Sequence, residues 1–321
     1  MGHSVLIMGA RTSHGRRSAG RVWATAFVAA TASAALLVAV PAEAAKAPRA
    51  RIAYVGAYPN VGILSVDLNG RHRQRLTPKG QYAARPTWTP SGDRIAYLVG
   101  GMDVYSQVRV MRPNGTRKRT MLRGGRVRGF LDVAWAPQAR RIAVTTQHYD
   151  GSAGGVAVYS LKTHKLVGLR VLSGTGWRPS LVDWSPDGTR LIFSAYYVPA
   201  SNPHDITNAD LWSVRPNGTG LRRLTNSPGV YDGAPVWAPR GKRIAHSQGW
   251  DCSTVVIANA DGTGPRSIPG GCKGDPDWSP GGTHMAVSFR GTGNPYVSRI
   301  RTDGSGRVNL AHGYDPAWRP R

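Results

Sequence analysis

A tryptophan followed two residues later by a proline recurs along this chain. It appears at Trp88-Thr89-Pro90, Trp135-Ala136-Pro137, Trp184-Ser185-Pro186, Trp237-Ala238-Pro239, Trp278-Ser279-Pro280 and Trp318-Arg319-Pro320. Successive tryptophans stand 47, 49, 53, 41 and 40 residues apart. A unit of that length is too small to bury a core alone and must stack on its neighbours, and a period of about 40–50 residues is that of a four-stranded blade. The 40 Gly and 23 Pro of this 321-residue chain oppose long helices and suit short strands joined by tight turns.

Each unit reads as four strands. Trp-x-Pro ends an inner strand, and the glycine two residues past the proline permits a tight turn. Apolar second strands are expected over 94–99, 141–145, 190–193, 243–246 and 284–287, and third strands over 108–111, 156–161, 211–214 and 255–258. Hairpin signals close the third strands at Asn69-Gly70, Asn114-Gly115, Asn217-Gly218, Asp261-Gly262 and Asp303-Gly304. The unit after Trp135 departs from the pattern, with Ala139 in place of the turn glycine and Lys162-Thr163 at its second turn.

The two ends of the chain are halves of one unit. Arg51-Ile52-Ala53-Tyr54-Val55 matches a second strand with no Trp-x-Pro before it, while Trp318-Arg319-Pro320 is an inner strand with nothing after it. The sequence therefore predicts an all-β fold over residues 45–321: a six-bladed β-propeller of four-stranded blades. Its ring would close by pairing of the N- and C-terminal strands, which removes two exposed edges.

The run from Trp184 to Leu191, with Asn217 to Thr225 at the end of the same unit, resembles the WD-like propeller repeat of TolB and related exported proteins. The resemblance spans residues 51–321 and implies the propeller alone. The TolB family also carries an N-terminal α/β interaction domain, for which residues 45–50 leave no room. The prolyl oligopeptidase class sets a similar propeller before an α/β-hydrolase domain, but no Gly-x-Ser-x-Gly elbow occurs in this sequence.

Residues 1–44 read as a signal peptide. Arg11, Arg16, Arg17 and Arg21 lead into the apolar run 22–40, and Pro41-Ala42-Glu43-Ala44 offers a small-x-small cleavage site. The competing reading is a membrane anchor, because the apolar run approaches the roughly 20 residues needed to span a bilayer. An exported protein of the periplasm, cell wall or medium is expected. With 42 Lys and Arg against 17 Asp and Glu, the formal charge is +25. Such a field attracts polyanions, and export disfavours nucleic acid among them. The expected partner is an envelope protein or an anionic envelope polymer, with peripheral contact to membrane or wall, and the expected state is a monomer. Basic clusters such as Arg117-Lys118-Arg119 and Arg222-Arg223 fall on expected outer strands, where charge also discourages edge-to-edge pairing.

Candidate ligand-binding residues fall in two sets. Tyr58, His148, Tyr149 and His204 belong to the variable loops that share one end of the blades. Asp132, Asp275 and Asp315 stand three residues before a repeat tryptophan and should project near the mouth of the central channel, with Asp232 close by in an entry loop. Two roles are open for these carboxylates: they bind a cation or amine, or they accept backbone hydrogen bonds in turns. No metal-ligand spacing and no cofactor motif is present. Cys252 and Cys272 come nearly opposite each other across the hairpin about Asp261-Gly262. In an oxidising compartment they should form a structural disulfide, since no Cys-x-x-Cys marks a redox site. The leading expectation is a non-catalytic binding scaffold. The alternative is a small-molecule or glycan lyase or hydrolase with its centre at the channel mouth, served by Asp132, Asp275 and Asp315.

Overall fold

The computed structural model describes residues 51–59, 61–101, 105–125, 128–148, 154–202, 206–250, 253–271, 273–289 and 293–320. Tyr149, His204, Cys252 and Cys272 lie outside them, as does the segment read as a signal peptide. Among the described residues, no helix is long and apolar enough to cross a membrane.

The chain is built of antiparallel strands. Before the first tryptophan come β1 (Arg51–Gly56), β2 (Ile63–Asp67) and β3 (Gln74–Arg75). The repeats then supply successive groups of four: β4 (Ala83–Trp88), β5 (Ile95–Gly100), β6 (Tyr105–Met111) and β7 (Arg119–Arg123); β8 (Arg128–Trp135), β9 (Arg141–His148), β10 (Gly155–Ser160) and β11 (Leu166–Gly168). The next two groups are β12 (Trp177–Trp184), β13 (Leu191–Tyr197), β14 (Asn208–Val214) and β15 (Arg222–Arg223); then β16 (Asp232–Trp237), β17 (Arg243–Gln248), β18 (Thr254–Asn259) and β19 (Arg266–Ser267). The last strands are β20 (Lys273–Trp278), β21 (His284–Phe289), β22 (Tyr296–Arg301) and the 11-residue β23 (Val308–Trp318).

β23 serves two groups. Its first half pairs with β22, Ser298 facing Asn309, and its second half pairs with β1, Ile52 facing Trp318 and Ala53 facing Ala317. The terminal half-units are thus joined in one sheet.

The departures from the repeat after Trp135 do not abolish its hairpins. β8 pairs with β9 and β10 with β11. Ala139 adopts φ 54°, the left-handed conformation that glycine occupies at φ 65–71° in the sister turns Gly92, Gly188, Gly241 and Gly282, and His164 in the turn between β10 and β11 also stands at φ 54°. Neighbouring pairings in each sheet outweigh the local cost of a Cβ there.

Apolar residues fill the spaces between successive groups. Trp184, Leu191 and Phe193 pack on Ala134, Val156 and Val158 of the group before, and Trp135 and Phe130 on Leu98 and Val108. Ile52, Tyr54 and Val66 pack on Ala286 and Val297, bringing the first strands against the last. Each repeat tryptophan therefore sits between groups rather than within one. Arg141 lies 4.9 Å over Trp184 and Arg243 5.3 Å over Trp278, so the arginine six residues after one tryptophan stacks on the next. The glycines of the Asn-Gly and Asp-Gly turns are held by the same packing. A Cβ on Gly262 would stand 2.2 Å from the carbonyl oxygen of Leu224 in the preceding group.

Candidate functional site

The inner strands β4, β8, β12, β16, β20 and the second half of β23 surround a cavity of about 130 Å³. Each contributes three consecutive residues: 85–87, 132–134, 181–183, 234–236, 275–277 and 315–317. A regular strand would turn alternate residues away from such a cavity. A bulge explains the difference. In β4 the register passes from Ala84 facing Leu98 to Thr87 facing Ala96, one residue more than its partner strand, and β16 and β20 repeat the irregularity. Arg85, Ala234, Asp275 and Asp315 hold φ between 47° and 51°, each directly before a proline.

Hydroxyls support the bulges. The N–H of Asp275 donates to Ser247 Oγ (3.0 Å) and that of Asp315 to Ser288 Oγ (3.1 Å), in both cases from the preceding group. Leu181 N–H donates to Ser194 Oγ at 3.2 Å. Thr145, at the equivalent position of β9, donates its hydroxyl to Ser180 O.

Charge in the cavity is mostly negative. Asp132, Asp275 and Asp315 line it as the sequence predicts, joined by Asp183 and Asp277. Arg85 is the one basic side chain among the described residues of the lining, and it donates to Asp315 Oδ1 at 2.7 Å. Burial works against the charge on Arg85, but the carboxylates of Asp315, Asp132 and Asp275 outweigh it and raise the guanidinium pKa. Burial pushes Asp132 up to about 6, against the pull of Arg85 and of the Val182 N–H. Asp183 and Asp277 are pushed up to about 7, again chiefly by burial. Burial also raises Asp315, with Arg85 opposing the rise.

These carboxylates bridge between groups. Asp132 Oδ2 accepts the N–H of Val182 (2.8 Å), Asp183 Oδ2 that of Trp237 (2.8 Å), and Asp277 Oδ2 that of Trp318 (2.6 Å). Each tie runs from one inner strand to the next. Of the two roles the sequence leaves open, acceptance of backbone hydrogen bonds is the one seen for Asp132. The donor at 2.8 Å is the Val182 N–H of a neighbouring strand.

The remaining candidates lie elsewhere. Asp232 is not in an entry loop beside this cavity. It opens β16, is wholly buried, accepts from Gln248 Nε2 at 3.0 Å and stands 3.6 Å from His246 Nδ1. Burial lowers the pKa of His246, with Asp232 opposing. Tyr58 projects from the β1–β2 loop, 82% exposed, and His148 ends β9, partly buried; neither lines the cavity. The structure thus brings together the three inner-strand aspartates and leaves Tyr58, His148 and Asp232 apart from them. Sequence reading missed Arg85, Asp183 and Asp277. The signal for the last two was their place immediately before Trp184 and Trp278. It also passed over Tyr82 and Trp250, which are 47% and 45% exposed at the loop end of the strands. Among the described residues, no group of three or more His, Cys, Asp or Glu is arranged to hold a metal ion.

No protein-family model matches the chain, and no curated protein matches it. Solved structures do. TolB from Acinetobacter baumannii is similar over 85% of this chain and 67% of its own, with 18% identity and a TM-score of 0.69. A nidogen/laminin complex gives 11% identity over 84% of this chain and 98% of that one, with a TM-score of 0.63. An oligogalacturonate lyase in complex with manganese gives 13% identity over 81% and 78%, with a TM-score of 0.56. The fold is a β-propeller. Within it the four-stranded groups are blades, and the 130 Å³ cavity is the throat of the central channel.

Proposed function

We propose that this propeller is an exported, non-catalytic binding scaffold with residues 1–44 as its signal peptide. Six blades would form its ring, closed by the pairing of β23 with β1, and its partner is an envelope protein or an anionic envelope component. The observation that carries this reading is the set of exposed aromatics at the loop end of the blades: Tyr58 at 82%, Tyr82 at 47% and Trp250 at 45%. Large aromatic side chains in solvent on a rigid scaffold are the usual anchors of a protein interface. Trp250 is fixed in place, its Nε1 donating to Gly229 O at 3.0 Å and its ring 5.1 Å from that of Tyr231, so little freedom is lost when a partner covers it.

The test is capture. Wild-type protein and a Tyr58→Ser/Tyr82→Ser/Trp250→Ser variant are immobilised and exposed to solubilised envelope extract at high salt. A discrete protein or glycan held by the wild type and lost by the variant is expected. Retention of nothing, or of the same set by both, overturns the reading.

The raised carboxylates at the channel throat favour a second reading, a lyase or hydrolase of small molecules or glycans, since perturbed acids mark catalytic sites. Two facts weigh against it. A cavity of about 130 Å³ is smaller than the ~300–1,000 Å³ of ordinary ligand pockets, and Asp132, Asp183 and Asp277 already hold backbone N–H groups.

A further inference from the structure

A larger cavity opens at the opposite end of the blades from the exposed aromatics. It measures about 650 Å³ and lies between the β12–β15 and β16–β19 blades, where the Trp-x-Pro and Asn-Gly turns gather. Its walls carry Arg190, Arg222, Arg223, Arg240 and Lys242 against Asp187 and Asp261.

The two acids are engaged within their own turns. Asp187 accepts the Ser185 hydroxyl at 2.6 Å and the Thr189 N–H at 3.0 Å, and Asp261 accepts the Thr263 hydroxyl at 2.7 Å and N–H at 3.0 Å. Arg223 is paired with the buried Asp210 and stacked over Trp177 and Trp212. Among the described residues, Arg190, Arg222, Arg240 and Lys242 have no carboxylate partner.

Arg190 is held ready. Its Nη2 donates to Ser213 Oγ at 2.9 Å and to Gly220 O at 2.8 Å, so its guanidinium does not have to be ordered by a ligand. Burial lowers its pKa, and Arg222 and Arg215 lower it further, as follows where like charges gather without a counter-charge. Between the charges, Trp237, Leu224 and Pro239 give the floor an apolar strip.

The geometry points to this groove as a binding site for a linear phosphodiester polymer, its phosphates on Arg190, Arg222, Arg240 and Lys242 and its polyol or sugar units against Trp237 and Leu224. Guanidinium groups match the two free oxygens of a phosphodiester, and a concave groove accepts a chain where a membrane would need a flat or convex patch. The inference deepens the scaffold reading by naming an anionic component and placing its site apart from the loop-end aromatics.

The experiment is calorimetric titration of the full chain with poly(glycerol phosphate), and in parallel with polygalacturonate and a single-stranded DNA oligonucleotide. Saturable binding of poly(glycerol phosphate) is expected, tighter than that of either other polyanion. The triple variant Arg222→Gln/Arg240→Gln/Lys242→Gln should weaken it about tenfold or more. A control removing equal charge elsewhere, Arg71→Gln/Arg117→Gln/Arg119→Gln, should leave it within about twofold. The three groove positions are exposed, so the variant keeps its fold, which an unchanged melting temperature verifies. Arg190→Gln should also weaken binding. No binding, equal weakening by the control, or tighter binding of polygalacturonate or DNA overturns the inference. Because the loop-end aromatics are intact in every variant, capture of an envelope protein at that end would survive such a failure and keep the two readings distinguishable.

Discussion

Arg85 and Asp315 show how one pair can govern the channel throat. Their side chains are 29% and 8% exposed, and the pair links β4 to β23 at 2.7 Å. Removing one member of such a pair leaves the other as an uncompensated charge, at a cost of roughly 3–5 kcal/mol. Arg85→Met is therefore expected to destabilise the protein by about that amount at pH 8. The Asp315 pKa already lies above its unfolded value of 3.8, and loss of Arg85 raises it further. A carboxyl with a raised folded pKa favours the folded state fully below the unfolded pKa and loses that advantage as pH rises through the folded one. The deficit of Arg85→Met should thus shrink at pH 5, where Asp315 can take a proton. Urea melts of both proteins at pH 5 and pH 8 check this, and an equal deficit at both would assign the loss to packing instead.

At the scale of strands and turns, the hairpin about Ala139 meets a cost its sisters avoid. Ala139 holds φ 54° where the equivalent turns use glycine. A Cβ in the left-handed region costs roughly 1–2 kcal/mol, partly offset by the greater unfolded-state freedom of glycine. Ala139→Gly is expected to stabilise the protein by about 0.5–1 kcal/mol, read as a higher urea midpoint at unchanged slope. This turn also shows what the sequence could and could not reveal. Spacing alone located the strands, because Trp-x-Pro and the two-residue turns recur in a fixed order. It also located Asp132, Asp275 and Asp315 at one equivalent position. The bulges escaped notice because a residue before proline reads as extended backbone, and no glycine marks the left-handed residue at Arg85, Asp275 or Asp315. What supports that conformation at Asp275 and Asp315 is a serine hydroxyl 28 or 27 residues earlier, a contact that no local pattern displays. Asp183 and Asp277 were hidden for the same reason, since only a bulged strand sets three successive residues along the channel.

Across the whole molecule, the ties between inner strands concentrate where the chain's two ends meet. Residues 314–320 hold the Asp315 carboxylate that pairs with Arg85, the Ala317 carbonyl that accepts Trp88 Nε1–H at 3.0 Å, and the Trp318 N–H that reaches Asp277. Arg319 adds a bond from Nε to Gly92 O at 2.9 Å and lies 5.3 Å over the Trp88 ring. The same segment gives β1 its inner neighbour, so its removal would expose one edge of β1 and leave Arg85 and Asp277 without these partners together. Contacts of this kind on one short segment are coupled, and their loss exceeds that of any single bond. Deleting residues 314–321 is therefore expected to lower the melting temperature by about 10 °C or more, at roughly 2–4 °C per kcal/mol for a protein of this size. A truncated protein that melts with the full chain would mean that the proposed ring does not depend on its closing strand.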